Sequence, residues 1–229
     1  EGNQAGAGFG YSISTAGDVN TDGYADIVVG APWYDSGQSD EGRVYIFHGG
    51  STGLNSIPDW TADGEQENAR FGWSVSTAGD VNGDGYGDVI TGATGASPGG
   101  RYQAGINYVV FGKANGWTSP LELSSLNGDN GFKINGELAG DYSGFPGDGG
   151  DINNDGYDDL IMNAPGINRG GRTNAGIYYV IFGHANSWVS SLELSSLDGI
   201  NGFKVNGEAT GDSPSIGERR AVNAAGDIN

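Results

Sequence analysis

The chain has 229 residues, 36% of them hydrophobic, enough for a sizeable core in one or two domains, and no apolar run reaches the length of a membrane-spanning helix. A net charge of −19 excludes nucleic-acid recognition through a basic face, and the lack of cysteine excludes disulfides, thiolate metal sites and cysteine nucleophiles. The 45 glycines follow no three-residue period, which excludes collagen; they fall in short clusters between apolar runs, as in a chain of many tight turns.

Near the N-terminus, Phe9-Gly10 opens a stretch that leads, nine residues after the Phe, into Asp18-Val19-Asn20-Thr21-Asp22-Gly23-Tyr24-Ala25-Asp26. An apolar run to Gly30-Ala31-Pro32 follows, then the aromatic, β-branched run Val44-Tyr45-Ile46-Phe47. The order then repeats: Phe71-Gly72, the nonapeptide Asp80 to Asp88, Gly92-Ala93-Thr94 and Tyr108-Val109-Val110-Phe111. A third copy runs from Asp151 to Asp159, through Asn163-Ala164-Pro165, to Tyr179-Val180-Ile181-Phe182, and Asp227-Ile228-Asn229 begins a fourth. The first aspartates are 62, 71 and 76 residues apart, and segments 108–137 and 179–208 agree at 22 of 30 positions. The repeats are placed at about 1–66, 67–137, 138–208 and an incomplete 209–229.

Short runs rich in β-branched and aromatic residues, bounded by Gly, Asn, Asp and Pro, read as strands. Helical periodicity is confined to single turns at Leu121–Leu126 and its copy Leu192–Leu197. Each unit offers about four strands, the last being a run such as Phe132-Lys133-Ile134-Asn135. Four strands per 60–75 residues predict an all-β propeller of four-stranded antiparallel blades, about three plus the start of a fourth, forming a single partial domain over 1–229; a solenoid is the alternative, with repeats usually shorter than these.

Ten of the 29 acidic residues lie in the repeated nonapeptide, and its chemistry is that of a hard-cation loop. Calcium takes roughly six to eight oxygens at about 2.3–2.6 Å. Side chains at positions 1, 3 and 5 converge if the backbone curls, glycine at position 6 allows the turn, position 7 offers its carbonyl and position 9 a further carboxylate. The expected ligands are Asp18, Asn20, Asp22, Tyr24 and Asp26; Asp80, Asn82, Asp84, Tyr86 and Asp88; and Asp151, Asn153, Asp155, Tyr157 and Asp159. A fourth site would use Asp227 and Asn229 if the chain continues. The competing reading is a turn that binds nothing, since Asp, Asn and Gly favour turns anyway; three copies in register argue against it. Magnesium would keep more waters and use fewer carboxylates.

Phe-Gly, the nine-residue aspartate loop and Gly-Ala-Pro together resemble FG-GAP repeats, which form the seven-bladed β-propeller of integrin α subunits and occur in many bacterial surface and secreted proteins. The resemblance implies a calcium loop between the first two strands of each blade, an extracellular or cell-surface location, and protein or carbohydrate ligands engaged on the face opposite the loops. The third copy departs from the pattern, with Tyr142-Ser143 in place of Phe-Gly. The following Gly144-Phe145-Pro146-Gly147-Asp148-Gly149-Gly150 is expected to make a poor strand, with a bulge or altered loop. No Arg-Gly-Asp tripeptide and no Asn-x-Ser/Thr site is present. Three and a fraction blades imply either part of a longer propeller or self-association through an open edge strand.

Outside the loops, His48 and His184 read as exposed turn residues, Trp117 and Trp188 as packing between blades with sugar stacking as the alternative, and Asp158 as a solvated neighbour of Asp159. No catalytic constellation is assigned. Two functions remain: a calcium-stiffened adhesion or ligand-binding module, or the propeller part of a secreted enzyme acting on carbohydrate or a phosphoester.

Overall fold

A computed structural model describes residues 4–115, 117–166, 173–185 and 187–211. The architecture is all-β. The first sheet is a meander of β1 (Ser12–Gly17), β2 (Asp26–Ala31), β3 (Arg43–Phe47) and β4 (Trp60–Asp63). The second runs through β5 (Phe71–Gly79), β6 (Asp88–Ala93), β7 (Ile106–Val110) and β8 (Gly131–Asn135); the third through β9 (Phe145–Gly150), β10 (Asp159–Ala164), β11 (Ile177–Ile181) and β13 (Gly202–Asn206). The short β12 (Ser191–Glu193) leaves the third unit and pairs parallel with β8, so the second sheet has five strands, not the four expected. Single 3-10 turns at Leu123–Ser125 and Leu194–Ser196 fulfil the helical-turn expectation. These sheets are the blades of an integrin-like propeller; among the described residues the first and third share no strand pairing.

Each first hairpin carries a register shift just before the aspartate loop, at Thr15/Gly17, Thr77/Gly79 and opposite Asp159/Leu160. Gly17, Gly79 and Gly150 adopt positive φ there, as a bulge glycine does. Thr15 and Thr77 accept the amide of the bulge glycine through Oγ1; in the third blade Asp148 does so through Oδ1 at 2.9 Å. The expectation of a poor third first strand is therefore corrected. Phe145–Gly150 pairs along β10, because β9 is an edge strand where Pro146 can lack an N–H without breaking a ladder bond.

The core lies between blades. One apolar cluster joins Val28, Val44, Ile46, Trp60 and Ala62 of the first sheet to Phe71, Val89, Tyr108, Leu121 and Leu123 of the second unit. A second cluster joins Ile90, Val109, Phe132 and Ile134 to Leu160, Met162, Tyr179, Trp188, Leu192 and Leu194. The tryptophans make the same contact at both seams: Trp117 stacks on Trp60 at 4.8 Å and Trp188 on Phe132 at 4.2 Å. Ion pairs repeat as well, Lys133–Glu65 at 2.8 Å and Lys204–Glu137 at 3.2 Å.

Candidate metal centres

The three aspartate loops join β1 to β2, β5 to β6 and β9 to β10, and their internal bonding is the same. In the first, Asp18 Oδ1 accepts the Asp22 amide at 3.0 Å and its Oδ2 accepts the Gly23 amide at 2.8 Å. Asn20 Oδ1 accepts the same Asp22 amide at 3.0 Å, so the position 1 and position 3 oxygens meet over one N–H. Asp22 Oδ1 accepts the Tyr24 amide at 2.9 Å, and Asn20 Nδ2 donates to Asp22 Oδ2 at 3.2 Å. Asp80, Asn82 and Asp84 repeat every one of these bonds, as do Asp151, Asn153 and Asp155. The corner glycines Gly23, Gly85 and Gly156 have φ of 89°, 89° and 95°, a conformation other L-residues seldom adopt.

The ninth position is placed differently. Asp26, Asp88 and Asp159 are fully buried beneath their loops. Asp26 accepts the Val19 amide and the Gly49 amide, both at 2.8 Å. Asp88 accepts those of Val81 and Gly112, and Asp159 those of Ile152 and Gly183. Each thus ties its loop to the exit of the third strand. Burial pushes all three carboxyls up against the pull of these amides, Asp88 to about 8, with the Asp84 and Asp80 charges adding to the rise.

The structure therefore gathers the predicted side chains at positions 1, 3 and 5, uses the amides of Tyr24, Tyr86 and Tyr157 to close the turn, and seats position 9 under it. Among the described residues no three carboxylate or imidazole groups converge closely enough to enclose an ion by themselves. The gathered donors are oxygens only, two carboxylates and one amide per loop, which suits a hard cation completed by carbonyl and water oxygens. The begun fourth loop, Asp227 and Asn229, lies outside the described residues.

A scan against protein-family models matches the FG-GAP repeat at residues 9–47, 71–110 and 147–181. This chain is an FG-GAP repeat protein of the integrin α-like family. Integrin alpha-PS2 of Drosophila melanogaster is 43% identical over 124 residues, covering 50% of this chain and 8% of that protein. Integrin alpha-V of Gallus gallus is 41% identical over 103 residues, 43% of this chain and 10% of that protein. Phosphatidylinositol-glycan-specific phospholipase D of Mus musculus is 36% identical over 204 residues, 86% of this chain and 23% of that protein. The FG-GAP chain thus spans between about a tenth and a quarter of the length of these relatives.

Three other expectations meet the structure. Trp188 is buried and Trp117 partly so, both at blade seams, which is the packing role. The histidines are not exposed turn residues: both are half-buried, His48 Nδ1 lying 3.5 Å from Asp59 Oδ1 and His184 stacking on Trp188 at 4.1 Å. Asp158 is not simply solvated, since its Oδ2 accepts the Asp80 amide of the neighbouring loop at 2.7 Å. Sequence reading missed Gly49, Gly112 and Gly183 as donors to the ninth position. Their signal was available: each closes the aromatic run 23 or 24 residues after that aspartate.

Proposed function

We propose that this chain is a calcium-stiffened, non-catalytic ligand-binding part of a secreted or surface propeller, built from repeats near 1–66, 67–137, 138–208 and 209–229. The observation that carries the proposal is the identical gathering of Asp, Asn and Asp oxygens in three loops. Asp18, Asn20 and Asp22 would hold one ion, with the Tyr24 carbonyl and Asp26 completing the set. Asp80, Asn82, Asp84, Tyr86 and Asp88 would hold a second, and Asp151, Asn153, Asp155, Tyr157 and Asp159 a third. Bound calcium would neutralise carboxylates crowded at a hairpin tip and fix the hairpin. Extracellular calcium modules commonly bind at about 10⁻⁴–10⁻³ M, which suits a loop that fills outside the cell.

A protein or carbohydrate ligand would engage the face opposite these loops. Tyr11, Trp33 and Trp73 cluster at that end of the hairpins, with Trp33 4.8 Å from Tyr11 and 5.9 Å from Trp73. A separate cavity of about 570 Å³ is lined by Tyr34, Arg43, Tyr45, Ser56, Ile57, Pro58 and Thr61, a lining with one cation and no carboxylate or imidazole. That composition favours binding over hydrolysis. The second reading, the propeller part of a secreted enzyme, draws on the match to a phospholipase D across most of the chain. No helix of the described residues is long and apolar enough to cross a membrane.

The test is a thermal melt of metal-stripped protein with calcium, with magnesium and with chelator. A ligand that binds only the folded state, at 100 times its Kd, stabilises by about 2.7 kcal/mol per site. Calcium should raise Tm well beyond magnesium, and the gain should shrink in Asp22→Ala combined with Asp84→Ala. A metal-free protein whose melt calcium does not move would sink the proposal.

A further inference from the structure

The loops do not stand apart from one another, and the two seams between them differ. At both seams the eighth residue of the later loop donates its amide to the carbonyl of the earlier loop's first aspartate: Gly87 to Asp18 at 2.9 Å, and Asp158 to Asp80 at 3.3 Å. Gly87 brings no side chain to loop one. Asp158 brings a carboxylate to loop two, and its Oδ2 accepts the Asp80 amide at 2.7 Å. Room for it exists because residue 79 is glycine; a Cβ there would stand 2.2 Å from Asp158 Oδ2. Next to it the Tyr157 ring lies over Gly83, where a Cβ would fall 2.4 Å from the ring. Loop one has Thr21 at the position of Gly83.

We infer that Asp158 is a positioning residue for the metal centre of loop two, so that loops two and three fill as a coupled pair while loop one fills independently. The inference rests on the calcium reading given above. Asp80 supplies the first ligand of loop two, and its carboxylate organises the corner by accepting the Asp84 and Gly85 amides at 3.0 and 2.9 Å. A charge-assisted bond from Asp158 to the Asp80 backbone fixes where that carboxylate starts. Calcium in loop three orders Asp151–Asp159, and with it Asp158 and Tyr157, which hold loop two in its binding shape. Coupling through such a shared element is typically five- to 150-fold in affinity, and it is reciprocal.

The experiment is a calcium titration followed by ¹⁵N–¹H spectra of the whole chain, in which the Gly23, Gly85 and Gly156 amides report the three loops separately. D158G gives the second seam the residue of the first. It should raise the calcium midpoint at Gly85 about tenfold and leave that at Gly23 unchanged. D158N, which keeps an acceptor oxygen, should retain most of the affinity. Removing loop three with Asp151→Ala and Asp155→Ala should weaken loop two as D158G does. An unchanged Gly85 midpoint in D158G overturns the inference, and so does an equal shift at Gly23 and Gly85, which would mark a general loss of stability. If none of the three glycines responds to calcium in the unmodified chain, the calcium reading fails first and takes this one with it.

Discussion

The outer strands of the second and third blades are nearly the same peptide, Gly-Phe-Lys-Ile-Asn at β8 and Gly-Phe-Lys-Val-Asn at β13, yet they live in different surroundings. Phe132 and Ile134 are 0% exposed, while Phe203 and Val205 are 37% and 49% exposed. The difference is the neighbour. Trp188, Leu192 and Leu194 of the third unit lie over β8, and β12 extends its sheet by a parallel strand. No described residues do the same for β13. A blade of this kind is thus half of two interfaces, and its strands are buried by the unit that follows them. Stability in such arrays is a sum of unit and nearest-neighbour terms, so one peptide can matter greatly at one position and little at the next.

The largest effect that sharpens this contrast is at the two phenylalanines. F132A opens a cavity at a packed seam and should cost about 3–5 kcal/mol in urea unfolding. F203A removes a ring that still meets water and should cost less than about 1 kcal/mol, close to a surface change. Equal costs would break the comparison and would mean that something covers β13, either residues beyond 211 or a second copy of the chain; light scattering across a concentration series separates those two.

How far this architecture could be read beforehand follows from which contacts are local. The loop between the first two strands, the bulge glycine before it and the aromatic third strand all lie between Phe9 and Phe47 in the first copy, and short β-branched runs such as Ile27-Val28-Val29, closed by Gly30, mark the strands directly. The seams are not local. Ser191–Glu193 pairs with residues 133–135 of the preceding unit, and nothing in Ser-Leu-Glu announces a parallel strand. Pro146 lowers the strand reading of its own segment, and only the knowledge that β9 is an edge strand removes the objection. The ninth aspartate was legible as a loop residue, but its burial under Gly49, Gly112 or Gly183 depends on the third strand returning past it. The role of Asp158 was hidden for the same reason, because its partner is 78 residues away.

A smaller effect comes from the acids at the seams. Glu65 and Glu137, their side chains 28% and 13% exposed, each meet a lysine of the following blade, and Glu137 also accepts the Tyr179 hydroxyl at 3.1 Å. Glu208 holds the equivalent place at the third blade and is exposed. Neutralising E65Q or E137Q should cost on the order of 0.5–1 kcal/mol, and less at high salt, whereas E208Q should cost nothing measurable. A cost at Glu208 equal to that at Glu137 would again point to a covered third blade.

The smallest effect tests by pH how well a seam covers its acid. Glu41 lies at the first seam, where its carbonyl accepts the Phe71 amide at 2.9 Å, and it is 3% exposed. Burial raises its carboxyl above the ordinary 4.5; the Ser36 and Gln38 amides oppose the rise, and the Asp63 and Asp35 charges add to it. Asp63 is itself paired with Arg43. Between 4.5 and the raised folded value, the folded chain therefore keeps a proton that the unfolded chain has released. The stability this confers is full below 4.5 and is lost as pH rises through the folded value. E41Q keeps an acceptor for the Ser36 amide but has no proton to lose. Measured by urea unfolding, it should gain on the unmodified chain as pH rises above 4.5. Parallel curves for E41Q would show that the first seam admits water to Glu41, and that covering by the next blade is less complete there than the packing of Phe71 and Tyr108 implies.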